Sequence, residues 1–92
     1  MLHLILSSPF QSSALQQALQ YLQADDSLVL LQDAVIAACA PQWVEKLVAT
    51  SIYVMQEDLN ARGLRAKMGC EIKMDELVTL IAQHGSPHTW RD

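Results

Sequence analysis

The chain has 92 residues, of which 51% are hydrophobic and only 17% are charged. That length fits one small domain, so we expect residues 1–92 to fold as a single unit. A net charge of −4 argues against a dedicated nucleic-acid binder, whose affinity depends on clustered lysines and arginines. A small core needs less apolar material than this chain holds. Either its helices are very apolar, or part of the apolar surface contacts another subunit.

The sequence shows no targeting or membrane-spanning segment. MLHLILSSPF lacks the basic start and the long apolar run of a secretory signal. No apolar run approaches the roughly 20 residues that a membrane-spanning helix requires. The two cysteines, Cys39 and Cys70, are too few and too far apart in sequence for a disulfide framework. These features predict a cytoplasmic protein with free thiols and no membrane contact.

The first elements are a strand and a helix. Residues 2–6 are continuously apolar apart from one histidine, which predicts a short buried strand. Ser8 followed by Pro9 is typical of a helix N-cap and first helical residue, and Ser13 offers a second start. Apolar residues then recur at helical spacing as far as Leu22, so one face of this helix is expected to be buried.

The middle of the chain repeats this alternation. SLVLLQ, residues 27–32, is predicted to be the second strand: its apolar residues are continuous, not alternating, which is typical of a parallel strand covered on both faces. Asp33 stands at the expected N-cap of a helix over residues 34–40, and Pro41 begins another helix. SIYVM, residues 51–55, is rich in β-branched and aromatic residues and predicts a third strand.

The last third adds two helices and a strand. QEDLNARGL, residues 56–64, predicts a short helix that ends with Gly63 in a left-handed conformation. CEIKM, residues 70–74, is a fourth strand, and Asp75 is the expected N-cap of a helix that ends at Gly85. Alternating strands and helices predict an α/β fold: a three-layer α/β/α sandwich with a mainly parallel sheet of four or five strands.

Candidate site residues follow the predicted strands, where parallel sheets gather functional groups. The loop SSPFQSS around Ser8 could hold a phosphate or flavin, but it contains no glycine and its proline lacks an N–H, so helix capping is favoured. Asp33 as a phospho-acceptor would need an acidic pair after the first strand, which this loop lacks. Asp58 suits the first turn of its helix and can pair with Arg62 four residues later.

The thiols and the ring side chains give weaker signals. Cys39 follows two alanines in a small-residue segment and is expected to behave as an inert apolar residue. Cys70 lies near two lysines and is the better candidate for a reactive thiol. His84 and His88 have helical spacing, but a glycine and a proline between them disfavour a metal site. Trp90 either packs on its own sheet or anchors a neighbouring subunit.

Several stretches occur together in an order that resembles the DsrH/TusB family. They are MLH followed by SSPF, then VLLQDAVIAA, then YVMQEDLNARGL, and a tryptophan two residues from the end. The most specific pieces are LQD at residues 31–33 and DLxARG at residues 58–63. The resemblance spans essentially the whole chain.

The resemblance implies a DsrEFH-like, flavodoxin-like fold and a place in a TusBCD-like (DsrEFH-like) heterohexamer with two copies of each of three subunits. The partners would be TusC/DsrF-like and TusD/DsrE-like subunits. Such a complex relays persulfide sulfur, through a downstream acceptor protein, toward 2-thiouridine at the wobble position of tRNA, which this chain would contact only indirectly. The working cysteine lies on the TusD/DsrE-like subunit, and no cofactor is implied.

Some DsrH members carry a cysteine on the first helix, whereas ALQQALQYL here has none, so the chain looks closer to the TusB branch. We therefore expect a structural subunit rather than an enzyme acting alone. Its fold-defining or interface candidates are Ser8, Asp33, Asp58, Arg62, Gly63 and Trp90. Two alternatives stay open: a sulfurtransferase that uses Cys70 or Cys39 as persulfide acceptor, and a small cofactor-binding module built on the serine loop.

Overall fold

A computed structural model describes residues 1–90 as one five-stranded, all-parallel sheet with helices on both faces. The strands are β1 (Leu2–Ile5), β2 (Ser27–Leu30), β3 (Ser51–Met55), β4 (Cys70–Ile72) and β5 (His88–Trp90). The helices are α1 (Ala14–Tyr21), a 3₁₀ helix (Gln32–Ala38), α2 (Pro41–Leu47), α3 (Gln56–Ala61) and α4 (Met74–His84). The predicted α/β fold with a parallel sheet is confirmed.

The strand order, β4-β3-β2-β1-β5, determines where the helices lie. From β1 to β4 the chain moves across the sheet in one direction, and it then returns to the opposite edge for β5. Since parallel crossovers are right-handed, the three forward connections lie on one face and the return connection lies on the other. The helices are therefore divided unequally between the two faces.

Two apolar cores of different size result. The larger core holds Ile5, Leu28, Leu30, Ile52 and Val54 from the strands, together with buried residues of α1, the 3₁₀ helix, α2 and α3. Within the described residues, the smaller core consists of Leu2, Val29, Met55, Ile72 and Leu77, and α4 is the only helix that contributes to it. Successive strand residues alternate between the two cores, as the two-residue period of a strand requires.

The first helix begins later than predicted. Ser8 and Pro9 open a single turn, in which the N–H groups of Gln11 and Ser12 donate to the Ser8 carbonyl at 3.1 and 3.0 Å. The Ser8 hydroxyl accepts the Phe10 N–H at 3.2 Å, so Ser8 caps this turn and not α1. The helix starts after Ser13, the second predicted position, although the Ser13 side chain makes no cap hydrogen bond.

Two predicted aspartate caps are wrong. The residue before the 3₁₀ helix is Leu31, and Asp33 lies inside the first turn, where its carboxylate accepts hydrogen bonds from Arg62. Lys73 holds the N-cap position of α4, and its N–H donates to the Glu76 side chain at 3.1 Å, so Asp75 lies in the first turn instead. Both acids still lie beside the positive end of a helix, where a carboxylate is favoured.

The end of α3 is as predicted. Gly63 has φ +65°, and its N–H donates to the Asn60 carbonyl at 3.2 Å. The Leu64 N–H donates to the Leu59 carbonyl at 2.9 Å, which completes a Schellman motif. Both leucine side chains pack in the larger core. This sharp turn directs Arg62 toward the end of β2.

Candidate functional site

Loops from three neighbouring strands meet at the carboxyl edge of the sheet. The turn after β1, the 3₁₀ helix after β2 and the end of α3 line an open groove of about 410 Å³. Its lining residues are Ser8, Gln11, Asp33, Ile36, Arg62 and Leu64. Four of the predicted site residues, Ser8, Asp33, Asp58 and Arg62, thus come from the loops that meet at this edge, and Gly63 shapes the turn beside them.

Arg62 connects two of these loops. Its Nε and Nη2 donate to Asp33 Oδ1 at 3.1 and 2.9 Å, across 29 residues of sequence. Its Nη1 donates to the Asp58 carbonyl at 3.2 Å and lies 3.7 Å from Asp58 Oδ1, the predicted i,i+4 pair. The guanidinium therefore fixes the 3₁₀ helix to α3 through a planar set of donors that lysine cannot reproduce.

Asp58 also supports an unusual backbone conformation at Gln32. Gln32 has φ +51°, a left-handed value that costs a residue with a side chain about 1–3 kcal/mol. Its N–H donates to Asp58 Oδ2 at 2.9 Å. This charge-assisted bond offsets part of the strain and holds Asp33 in place toward Arg62. Sequence reasoning missed this contact, because glutamine carries no signal for a positive φ.

The hydrogen bonds and ion pairs at the carboxyl edge favour a structural role over ligand binding. The loop N–H groups that could hold a phosphate, those of Phe10, Gln11 and Ser12, donate inward to Ser8. An anionic ligand near Arg62 would also meet two carboxylates that already share its guanidinium. Hydrogen bonds among the cluster's own groups thus take up the donors that a bound phosphate or flavin would need.

Replacing Arg62 with lysine should lower the free energy of unfolding by about 0.5–1 kcal/mol, because one ammonium cannot make the fork of hydrogen bonds to Asp33 and Asp58. Chemical unfolding of Arg62→Lys, Asp33→Asn and the double variant measures the coupling, expected at about 0.5–1 kcal/mol. Arg65→Lys is the control at an exposed position. If the losses in unfolding free energy are strictly additive, Arg62 and Asp33 do not stabilise the protein through their mutual hydrogen bonds.

The two cysteines lie in different surroundings. Cys39 is half-buried, and its Sγ lies 3.6 Å from the Val35 carbonyl. Burial raises the pKa of the Cys39 thiol, although Lys67 opposes the shift. Cys70 is exposed at the start of the edge strand β4. It borders a groove of about 250 Å³ whose other lining residues are Tyr53, Ile72, Glu76, Thr79 and Leu80.

Alkylation of the folded protein should therefore begin at Cys70. The thiolate is the reacting species, and both burial and a raised pKa keep Cys39 in its unreactive form. Timed iodoacetamide labelling followed by peptide mass mapping should find Cys70 modified at least about tenfold faster than Cys39. Cys70→Ser should lose the fast label, and equal rates in the native chain would refute the assignment.

A second polar cluster lies at the amino edge of the sheet, where the parallel strands begin. It joins the start of β1 to β5. The Trp90 indole N–H donates to His3 Nδ1 at 3.0 Å, and His3 Nε2 lies 3.0 Å from Asp26 Oδ2. The Met1 ammonium donates to Asp26 Oδ1 at 2.8 Å. Because tryptophan only donates and a carboxylate only accepts, neutral His3 must carry its hydrogen on Nε2. His3 is thus a buried histidine with a hydrogen-bond partner on each ring nitrogen.

Trp90 packs on its own sheet, one of its two predicted placements. Its ring lies 4.7 Å from that of His88 and 5.5 Å from that of Tyr21, measured between centroids. These rings, with His3 and Asp26, line an open groove of about 720 Å³. His88 belongs to β5 while His84 ends α4, and within residues 1–90 no group of three or more His, Cys, Asp or Glu could hold a metal ion.

The sheet order and the loops at its carboxyl edge define a small, all-parallel α/β/α sandwich protein. Its strand order, 4-3-2-1-5, differs from the flavodoxin-like order 2-1-3-4-5, so that part of the expectation is wrong. The family described as "DsrH like protein" matches residues 7–86, and the chain belongs to this family. No helix among the described residues is long and apolar enough to span a bilayer.

Curated relatives carry the name "Protein TusB". The one from Pectobacterium parmentieri is 34% identical over 98% of this chain and 100% of its own length. The one from Erwinia tasmaniensis is 44% identical over 74% of each chain. The crystal structure of the ychN protein from E. coli is similar in fold, with a TM-score of 0.72 over 96% of this chain and 97% of that chain at 22% identity.

Proposed function

We propose that the chain is a non-catalytic, single-domain subunit of a cytoplasmic sulfur-relay complex, which passes persulfide sulfur toward 2-thiouridine at the tRNA wobble position. Membership of the DsrH-like family and the TusB relatives support the pathway. The structural role rests on one observation: at the carboxyl edge, Arg62, Asp33 and Asp58 bond to one another and to backbone groups. Such groups stabilise a surface instead of binding a substrate.

The proposed complex contains two copies of this chain, two of a TusC/DsrF-like subunit and two of a TusD/DsrE-like subunit. In this arrangement the TusD/DsrE-like subunit carries the reacting cysteine, and a downstream acceptor protein receives the sulfur. The chain contacts tRNA only through the complex, which suits its net charge of −4. No cofactor is assigned to it.

Co-purification tests this proposal directly. The chain, tagged and expressed at its native level in its own cells, should bring down two further chains of similar size in equal amounts. The purified chain should shift to a larger species on size-exclusion chromatography only when both partners are added. If the chain elutes as a monomer in the presence of both partners, it is not a structural subunit of such a complex.

A second candidate function is favoured by the exposure of Cys70 beside a groove. In this alternative, the Cys70 thiolate attacks the outer sulfur of a donor persulfide. A new S–S bond forms on Cys70, the donor's S–S bond breaks, and the donor leaves as a thiol. No oxidant or reductant is consumed.

Mass spectrometry separates the two candidates. If the chain is a sulfur acceptor, it should gain the mass of one sulfur at Cys70 after incubation with a small-molecule persulfide. That gain should disappear in Cys70→Ser and persist in Cys39→Ser. An unchanged mass, with Cys70 still free to react with iodoacetamide, would exclude the transferase role and leave the structural role standing.

A further inference from the structure

Among residues 1–90, α4 is the only helix on one face of the sheet. A helix with its side chains is about 10–12 Å wide, whereas five strands spaced about 4.8 Å apart span about 19 Å. Helix α4 contacts β1, the strand beside the edge strand β5, and covers this face only in part. Leu4, Leu31 and Tyr53 pack only partly against the smaller core and keep some of their surface exposed.

The apolar arc of α4 is wider than its contact with the sheet. Leu77 is buried against the sheet at 4% exposure, with Leu80 and Ile81 partly buried. Met74, Val78 and Ala82, which we term the α4 stripe, follow at i, i+4 and i+8 and lie along one exposed side. Met74 is 49% exposed and Val78 is 60% exposed. A row of apolar side chains on a helix surface is typical of a docking face.

Acidic groups border the stripe at its Met74 end. The Met74 N–H donates to Glu57 Oε1 at 3.2 Å, which places that carboxylate beside the start of α4. Asp75 and Glu76 lie in the first turn of the helix. Lys73 is the cation next to them in sequence, so three carboxylates outnumber one ammonium. A partner that covers the stripe gains affinity and orientation from basic residues facing this end.

We propose that the α4 stripe docks a partner subunit of the sulfur-relay complex, and that this partner presents an apolar strip bordered by lysine or arginine side chains. The inference rests on the proposed function and names the contact surface within it. A second copy of this chain fits less well, because it carries the same excess of carboxylates and a net charge of −4. The one-sided placement of the other helices leaves this face as the place where a partner adds apolar cover.

A matched pair of valines tests the proposal. Val78→Lys places a charge in the stripe, while Val48→Lys makes the same change at a 71% exposed position after α2, among the helices of the opposite face. Binding to the TusC/DsrF-like and TusD/DsrE-like subunits, separately and together, is measured by biolayer interferometry. Val78→Lys should weaken binding at least about tenfold, and Val48→Lys should not change it. Circular dichroism should show that both variants are folded.

A separate pair of variants tests whether the acidic residues beside the stripe contribute to binding. Asp75→Asn should slow association and reduce the dependence of binding on salt, whereas Asp25→Asn, at the opposite edge of the sheet, should change neither. Equal binding by Val78→Lys and Val48→Lys would overturn the proposed surface and leave the subunit role intact. If the unaltered chain binds neither partner, both proposals fail. If it dimerises alone and Val78→Lys makes it monomeric, the occupant is a second copy.

Discussion

Replacing Gly69 with alanine is expected to lower the free energy of unfolding by about 2–4 kcal/mol, whereas the same change at Gly63 should cost about 1 kcal/mol. Both glycines have left-handed backbones, with φ of +85° and +65°. They differ in the space available to a methyl group. The pair therefore separates backbone strain from steric overlap.

The two glycines differ in their surroundings because Gly69, just before β4, packs closely against β3. A Cβ at Gly69 would lie 3.0 Å from Val54 Cγ2 and 3.3 Å from both Ile52 Cγ2 and the Ile52 carbonyl oxygen. Val54 and Ile52 are core residues at 0% and 4% exposure, and β-branched side chains in a packed core have little freedom to move. At Gly63 nothing lies within 4 Å of the added atom. Alanine there meets only the strain of a positive φ.

Urea unfolding of the two variants measures this difference. The midpoint should fall further for Gly69→Ala than for Gly63→Ala, with the same denaturant dependence in both. Since Gly69 precedes Cys70, amide exchange in β4 should also speed up in the first variant. Equal losses at the two positions would show that the contact with Val54 has no energetic weight.

The alternation of elements could be predicted from local patterns. Largely apolar runs identify β1 and β2, because strands covered on both faces carry few polar residues, and β-branched and aromatic residues identify β3. The end of α3 at Gly63 follows from the need for a left-handed residue behind a helix. These signals depend on residues close together in the chain, so no tertiary information is required.

The fifth strand could not be predicted from its own residues. HTW follows a proline in a polar segment, and it becomes a strand because the outer edge of β1 offers a parallel partner. The register pairs His3 with His88, and the indole N–H of Trp90 bonds to His3 across 87 residues. A contact of that sequence separation leaves no trace in a local pattern.

The sequence indicated which residues lie at the carboxyl edge, but it did not indicate the contacts between them. Strand ends placed Ser8, Asp33 and Asp58 at one edge of the sheet, and helical spacing paired Asp58 with Arg62. The fork from Arg62 to Asp33 depends on the 3₁₀ helix and on the positive φ of Gln32. The local sequence predicts neither the 3₁₀ helix nor the positive φ. It favoured an ordinary helix capped by Asp33.

Replacing Asp26 with asparagine should destabilise the protein at neutral pH by several degrees in Tm. The carboxylate accepts hydrogen bonds from the Met1 ammonium, from His3 Nε2 and from the Gln23 N–H. An asparagine amide has only one oxygen, so its NH₂ group would face either the ammonium or the imidazole N–H as a second donor. The indole of Trp90, bonded to the other side of His3, should lose its fixed position as well.

The loss should depend on pH in a defined direction. The Met1 ammonium, with help from His3 and Gln23, holds the pKa of Asp26 well below its ordinary range. A carboxyl whose pKa is lower in the folded than in the unfolded state contributes its full stabilisation above the unfolded pKa, near 4. That contribution is lost as the pH falls further. The Tm gap between the native chain and Asp26→Asn should therefore be widest near pH 6–7 and narrow steadily below about pH 4.

Calorimetry across this pH range, with Asp25→Asn beside it, distinguishes this network from a general charge effect. Asp25 is an exposed neighbour, so removing its charge should leave the Tm almost unchanged at every pH. Tryptophan fluorescence adds a local readout, because Trp90 should become more solvent-exposed in Asp26→Asn and not in Asp25→Asn. A Tm gap that stays constant down to pH 2, or an equal loss in both variants, would show that ionised Asp26 does not hold β1 and β5 together through His3.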